Sequence, residues 1–224
     1  MPKIVIAGDS TAANKFEIAR PETGWGEKLS WFLPDTYQVI NFAKNGASTK
    51  SFIKEGLLAQ AEAALSKGDY FLIQFGHNDQ KITDERGTTL EEYQHNLAKY
   101  IQIAKEKAAI PILFTSITRL YYDEDQLDLE AVGGYPAAMR AFAEQYDILC
   151  LDIFTATQNY FNGITQAEAQ SHFLHLPVGV HPNYPNGIED NTHLNAHGAT
   201  VVAQLIAQAL KQTDLPCAKD ILTK

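Results

Sequence analysis

Four short polar runs carry the side chains that acyl-transfer chemistry would need. Gly8-Asp9-Ser10-Thr11 places a hydroxyl just after an apolar run, and Asn45-Gly46-Ala47-Ser48 adds a glycine and a second serine. Gly76-His77-Asn78-Asp79 supplies an amide, and Asp190-Asn191-Thr192-His193 pairs a carboxylate with an imidazole. A free serine hydroxyl is a weak nucleophile and needs an adjacent base, itself held by a third group. His193 can serve as that base for Ser10, with Asp190 holding Nδ1–H while Nε2 faces the hydroxyl. The Asn78 amide is one recognised form of oxyanion donor. Gly46 can bring a backbone N–H close to a reacting oxygen, because no Cβ intervenes.

Each run also has a plainer reading. Gly, Asp, Ser and Asn-Gly are turn formers. Ser48 is a rival nucleophile, ranked below Ser10. Asn195, just beyond the last motif, is a good N-cap for the helix that follows. A metal site is a further alternative: His193 and His197 stand four apart, with His172, His175 and His181 upstream. Leu194 occupies the position where H-E-x-x-H has its glutamate, which disfavours a zinc centre, and no metal is expected. Gly8-Asp9-Ser10-Thr11-Ala12 lacks the second glycine of G-x-S-x-G, so an α/β-hydrolase nucleophile elbow is disfavoured too.

The elements that must position these residues follow from the apolar pattern. Five runs, Lys3–Ala7, Tyr37–Phe42, Tyr70–Phe75, Pro111–Ser116 and Ile148–Ile153, are rich in Ile, Val, Phe and Leu. Several are nearly continuous rather than alternating, as in strands covered on both faces. Helical patterns lie between them at Gly26–Phe32, Leu57–Leu65, Leu90–Lys107 and Tyr135–Gln145, and an Ala-rich helix over Ala196–Lys211 closes the domain. This alternation predicts a parallel sheet with helices on both faces. Three of the polar runs then fall at carboxyl ends of strands, where such sheets bind ligands. Residues 165–175 read as a further helix, and 176–189 as a long loop leading into the Asp190 motif.

The chain has 224 residues, 45% hydrophobic and 20% charged, which fits one globular domain over residues 1–224. Its net charge of −9, with no cluster of Lys and Arg, argues against a nucleic-acid partner. Neither a signal peptide nor an apolar stretch long enough to span a bilayer stands out, so no membrane partner and a cytoplasmic location are expected. Cys150 reads as a buried hydrophobe, and with Cys217 it forms no metal-binding or disulfide pattern. The oligomeric state is not legible.

Taken in order, the four runs resemble the four characteristic blocks of the SGNH (GDSL-type) hydrolases, over roughly residues 3–210. Gly24-Trp25-Gly26-Glu27 and the stretch from Asn45 to Phe52 add a closer resemblance to the rhamnogalacturonan acetylesterases of that superfamily. The resemblance implies a three-layer α/β/α sandwich with a flavodoxin-like five-stranded parallel sheet. It also implies Ser10 as nucleophile, His193 as base and Asp190 as its orienter, with the Ser10 and Gly46 N–H groups and the Asn78 side chain as oxyanion hole. The expected activity is a cofactor-free serine esterase that removes acetyl groups from carbohydrate, with an acetylated pectin-derived oligosaccharide as substrate. A lysophospholipase or thioesterase, and a dead scaffold that binds carbohydrate, are the alternatives. A flavin or phosphate binder ranks last, because no Walker motif or G-x-G-x-x-G is present. Pectin fragments are acidic, as is the chain, so local cations would have to recognise them. Lys44, Lys50, Lys81 and Arg119 follow predicted strands, and Lys50 and Arg119 are singled out as substrate contacts, with Lys50 expected near the oxyanion side.

Overall fold

The computed structural model describes residues 1–222. In chain order the elements are β1 (Lys3–Gly8), α1 (Trp25–Lys28), β2 (Gln38–Asn41), α2 (Thr49–Lys54), α3 (Leu57–Ala64), β3 (Tyr70–Gln74), α4 (Leu90–Glu106) and β4 (Ile110–Phe114). There follow a small ribbon of β5 (Tyr122–Asp123) and β6 (Gln126–Leu127), then α5 (Tyr135–Tyr146), β7 (Cys150–Leu151), α6 (Ile153–Asn162) and α7 (Gln166–Gln170). A hairpin of β8 (Phe173–Leu176) and β9 (Ile188–Leu194) precedes α8 (Ala196–Lys211).

The main sheet is parallel, in the order β2-β1-β3-β4-β7. Its strands are covered on both faces, and alternate residues enter different cores. Ile4 and Ile6 of β1, Leu72 of β3 and Phe114 of β4 pack with Trp25, Phe161 and α8. Val5, Ala7, Phe71, Ile73 and Leu113 pack on the other face with Phe52, Leu58, Tyr93, Tyr100 and Phe142. The result is the three-layer α/β/α sandwich expected. Strand order reverses between β1 and β3, and there a crevice opens at the carboxyl ends.

Four features differ from the sequence-based expectation. Helix α2 was not anticipated: Ser48 caps it, accepting from Ser51 N at 3.0 Å, and the cap hides in a run read as a turn. The fifth strand is only Cys150–Leu151, because Asp152 stops it and caps the unexpected α6, accepting from Thr155 N at 3.3 Å. Cys150 itself is half-buried rather than buried. Residues 173–176 and 188–194, of which 173–175 read as helix end and 176 and 188–189 as loop, pair as the antiparallel β8–β9 hairpin. That hairpin is short, half-buried and polar along β9, so neither strand shows the continuous apolar signature of the main sheet.

Candidate active site

The turn after β1 carries Ser10, 6% exposed and fixed from several sides. Asp9 Oδ1 accepts from Thr11 N at 2.9 Å and Thr11 Oγ1 at 2.7 Å, an Asx-type lock on the turn. Trp25 N donates to Thr11 O at 2.9 Å, and Trp25 Nε1 donates to Gln74 Oε1 at 2.8 Å, which ties this turn to the end of β3. Gly24 and Gly26 let α1 lie directly on that turn. A Cβ at Gly24 would stand 2.2 Å from Ala13 O, and one at Gly26 2.4 Å from Ala12 O.

The hairpin brings Asp190 and His193 to the cleft through an irregularity. Leu174 pairs with Asp190 and Phe173 with Leu194, so Asn191, Thr192 and His193 bulge out of the ladder. Bulges beside active sites re-aim side chains, and this one turns His193 toward Ser10. His193 Nε2 lies 2.9 Å from Ser10 Oγ, and His193 Nδ1 lies 2.7 Å from Asp190 Oδ2. Asp190 Oδ1 accepts from Thr192 N at 2.7 Å and His193 N at 2.9 Å. Burial pushes the Asp190 carboxyl up, but the hydrogen bond and charge of His193 and these two N–H donors outweigh it and hold it down to about 2. The bulge is anchored by Leu120 N donating to Asn191 O at 2.9 Å, and by Asn195, which caps α8 through His197 N at 2.9 Å and Gly198 N at 3.1 Å.

Opposite the base stand the remaining polar turns. Gly46 has φ +77°, in the left-handed region. Asn78 is 4% exposed, and its Nδ2 donates to Ala47 O at 3.0 Å, which leaves the second amide hydrogen uncommitted. Among the described residues, the N–H groups of Ser10 and Gly46 have no hydrogen-bond partner. A polar cleft of about 340 Å³ joins Ser10, Asn78, Asp190 and His193 with Lys81 and Arg119. A hydroxyl with a base and an oriented carboxylate, facing unpaired N–H donors, is what acyl transfer uses.

Residues 6–201 match the family model described as the GDSL-like lipase/acylhydrolase family. The chain belongs to that family. It is accordingly a carboxylic ester hydrolase. The rhamnogalacturonan acetylesterase RhgT of Bacillus subtilis is 37% identical over 223 residues, covering 99% of this chain and 95% of its own length. The probable rhamnogalacturonan acetylesterase YesY of the same organism is 32% identical, covering 98% and 97%. Among solved structures, the YxiM protein of Bacillus subtilis superposes with a TM-score of 0.81 at 26% identity, over 94% of this chain and 56% of that longer one.

Within this acylhydrolase the other candidates sort themselves by position. Ser48 is fully buried and committed to capping α2, with no imidazole at hydrogen-bond distance. Lys50, expected near the oxyanion side, is not in the cleft. It points outward from the first turn of α2, its Nζ 3.5 Å from Gly87 O, and lines a separate hollow with Glu91, Glu92 and His95 of α4. Helix α2 explains the error: counting four residues from Gly46 as loop ignores the turn that carries Lys50 away. Lys44 pairs with Glu55, also outside the cleft. Lys81 and Arg119 do line it. His172, His175 and His197 lie away from Ser10's partners: the His172 and His197 ring centroids are 4.4 Å apart, His172 Nδ1 donates to Glu168 O at 2.7 Å, and His175 Nε2 bonds Asn191 Oδ1 at 2.8 Å. Among the described residues no group of three or more His, Cys, Asp or Glu could hold a metal ion, and no helix is long and apolar enough to cross a membrane.

Three site residues escaped the sequence reading. Lys15, with a side chain 1% exposed, donates to Ser10 O at 2.6 Å and Asn45 Oδ1 at 2.5 Å and pairs with Glu22 at 2.7 Å. It thereby joins the two loops whose N–H groups are unpaired. Asp79 accepts from Thr49 N at 3.0 Å and Thr88 Oγ1 at 3.2 Å, holding the Asn78 turn to the start of α2; burial, opposed by those bonds, pushes its carboxyl up to about 7. Burial lowers His77, whose Nε2 donates to Ile117 O at 2.8 Å, so it is a neutral strut. A lysine in Ala-Ala-Asn-Lys-Phe gives no signal distinct from a surface lysine. The other two stood inside the Gly76–Asp79 motif but read only as turn residues.

Proposed function

We propose that this acylhydrolase removes O-acetyl groups from carbohydrate, with acetylated rhamnogalacturonan-derived oligosaccharides as substrates, through an acyl-enzyme on Ser10. The observation that carries the reading is the unbroken chain from Ser10 Oγ through His193 to Asp190, at 2.9 and 2.7 Å, open to a polar cleft. His193 takes the Ser10 proton as Oγ attacks the acetyl carbonyl. The Ser10 and Gly46 N–H groups and the Asn78 amide receive the developing oxyanion. As the tetrahedral intermediate collapses, His193 returns the proton to the departing sugar hydroxyl, and water then releases acetate by the same steps in reverse. Asp190 keeps the imidazole in the tautomer with Nδ1–H. No cofactor enters this scheme.

Two observations favour an acetylated sugar over a long acyl chain. The cleft walls are polar, with Lys81, Arg119, Glu189 and Asn191 among them, where a fatty acyl chain would need an apolar channel. The RhgT relative is an acetylesterase of rhamnogalacturonan by name, and its likeness spans nearly all of both chains. The test is acetate release from a panel of acetylated polysaccharides and oligosaccharides, beside a chain-length series of nitrophenyl esters. Preference for acetyl and release from the pectic members are expected. Preference for long acyl chains would overturn the reading, and failure of a fluorophosphonate to label Ser10 would overturn the mechanism.

A further inference from the structure

Among the described residues, three buried side-chain atoms beside the catalytic turns have no hydrogen-bond partner: Asp9 Oδ2, His77 Nδ1 and Arg119 Nε. Native proteins leave few such atoms, and each needs an explanation. Asp9 is fully buried and His77 is 2% exposed. They stand at neighbouring strand ends, since Gly8 pairs with Gln74 where β1 and β3 close. Each also precedes a group of the oxyanion hole. Asp9 shares its peptide unit with the Ser10 N–H, and His77 leads directly into Asn78.

The rest of each side chain is committed. Asp9 Oδ1 takes both Thr11 donors, at 2.9 and 2.7 Å. His77 Nε2 donates to Ile117 O at 2.8 Å. Burial outweighs the opposing charge of Asp9 and holds the His77 ring down to about 4, so at neutral pH its Nδ1 can only accept. Arg119 Nη2 donates to His77 O at 3.2 Å, which lays the guanidinium against the same turn. Asp9 and Arg119 carry the charges that act most strongly on His77. Yet Asp9 and His77 form neither a hydrogen bond nor an ion pair with one another.

Two buried acceptors in one neighbourhood, out of direct reach of each other, call for a donor of two protons between them. Water donates two and can accept from a third group, and Arg119 Nε is a donor in need of an acceptor. Buried waters typically make about three hydrogen bonds to groups that are otherwise unsatisfied. A cation would also suit two acceptors, but the guanidinium on the same turn repels it. We infer that Asp9 Oδ2, His77 Nδ1 and Arg119 Nε hold a buried water that bridges the Ser10 and Asn78 turns, which makes Asp9 and His77 positioning residues for the oxyanion hole. A bridging water is enthalpically nearly as good as a direct bond, so the bridge sets the spacing between the Ser10 N–H and the Asn78 amide. This role rests on the oxyanion-hole reading above and not on the identity of the sugar.

Two substitutions take His77 apart. A Gln amide nitrogen can stand where Nε2 stands and keep the Ile117 bond, whereas an Asn oxygen can stand where Nδ1 stands and keep the bridge. His77→Gln should lower kcat on nitrophenyl acetate by roughly tenfold with KM nearly constant, as a small misplacement of the hole would. His77→Asn should lower the unfolding midpoint yet keep most of the parent's kcat. The reverse ranking would make the Ile117 bond the one that matters and overturns the inference. In an Asn78→Ala background His77→Gln should cost little more, because the spacing it sets has lost one member. Fully additive losses overturn the positioning role. A high-resolution crystal structure of the parent should show one water within hydrogen-bond distance of Asp9 Oδ2 and His77 Nδ1, and that water should be missing from His77→Gln. Density for no water, or for a cation, overturns the site whatever the kinetics. If Asn78→Ala alone leaves kcat unchanged, the oxyanion-hole reading fails and the positioning role with it, and the density then decides the water by itself.

Discussion

The two walls of the cleft are built differently. The nucleophile wall is made of turns at the ends of central strands, with Ser10 6% and Asn78 4% exposed. The acid–base wall is a bulge in a two-stranded hairpin outside the main sheet, where the Asp190 and His193 side chains are 24% and 29% exposed. Buried hydrogen bonds from Trp25, Lys15 and Thr49 lock the first wall together. The second is held mainly at its base, through Asn191 and Asn195. The contrast matches the tasks. An oxyanion hole works by being already in place when charge develops, whereas in the proposed mechanism the imidazole serves the serine, the leaving hydroxyl and a water in turn. Rigid support is concentrated on the wall where small displacements cost most.

Single groups from both walls should nonetheless fail together, because they act as a unit. Ser10→Ala should lower kcat by about 10³–10⁶ with the fold retained, and His193→Ala by a similar amount. The double variant should be little worse than either, which steady-state kinetics on nitrophenyl acetate will show; additive losses would mean that the two walls contribute separately. Asp190→Asn keeps the geometry but favours the wrong tautomer, with a kcat loss of about 10⁴. Asn78→Ala, one step down, removes a single donor and should lower kcat by roughly 10²–10³ while KM changes little. An unchanged kcat would take Asn78 out of the hole and leave it only its bond to Ala47.

Lys15 tests whether rigidity itself matters on the nucleophile wall. Lys15→Met removes the ammonium that joins the Ser10 carbonyl to the Asn45 loop and leaves Glu22 beside an empty partner position. Stability should fall by about 3 kcal/mol, as when one member of a buried pair is lost. If Lys15 sets the spacing of the two backbone donors, kcat should also fall, by about tenfold in keeping with a small misplacement, with KM nearly constant. Denaturant unfolding and kinetics on one preparation separate the two effects. A stability loss with kcat intact would reduce Lys15 to a packing role.

The same contrast governs what the sequence revealed. β1, β3 and β4 were legible because burial on both faces writes near-continuous apolar runs, and the turns holding Ser10 and Asn78 follow those runs directly. The hairpin wall was legible only as a motif. The spacing of Asp190 and His193 suggested their partnership, but Phe173–Leu176 was read partly as helix and Ile188–Glu189 as loop. Its bulge is a property of pairing between distant segments, and no local pattern encodes it. Lys50 was misplaced for a related reason: the cap at Ser48 is satisfied by Ser51, a residue that also reads as loop. Lys15 could not be read at all, since its partners lie at Asn45 and Glu22 and nothing in its neighbours marks it as buried.

The smallest expected effect concerns the hairpin wall under acid. The Asp190 carboxyl is held down to about 2 against an ordinary 3.8, with burial opposing and the His193 and Thr192 donors prevailing. A carboxyl whose folded value is depressed binds its proton more readily in the unfolded chain. Its contribution is therefore present in full above about pH 4 and is lost as pH falls from 4 through 2. The contribution is on the order of 2 kcal/mol, because one unit corresponds to about 1.4 kcal/mol. Asp190→Asn cannot titrate, so its unfolding midpoint should decline less steeply than the parent's over that window, while the two curves run parallel at neutral pH. Parallel curves throughout would mean that the donors on Asp190 pull no harder than water does in the unfolded chain. Because the same donors aim His193 at Ser10, that outcome would also weaken the case that the bulge is preorganised and would leave the nucleophile wall as the only rigid part of the site.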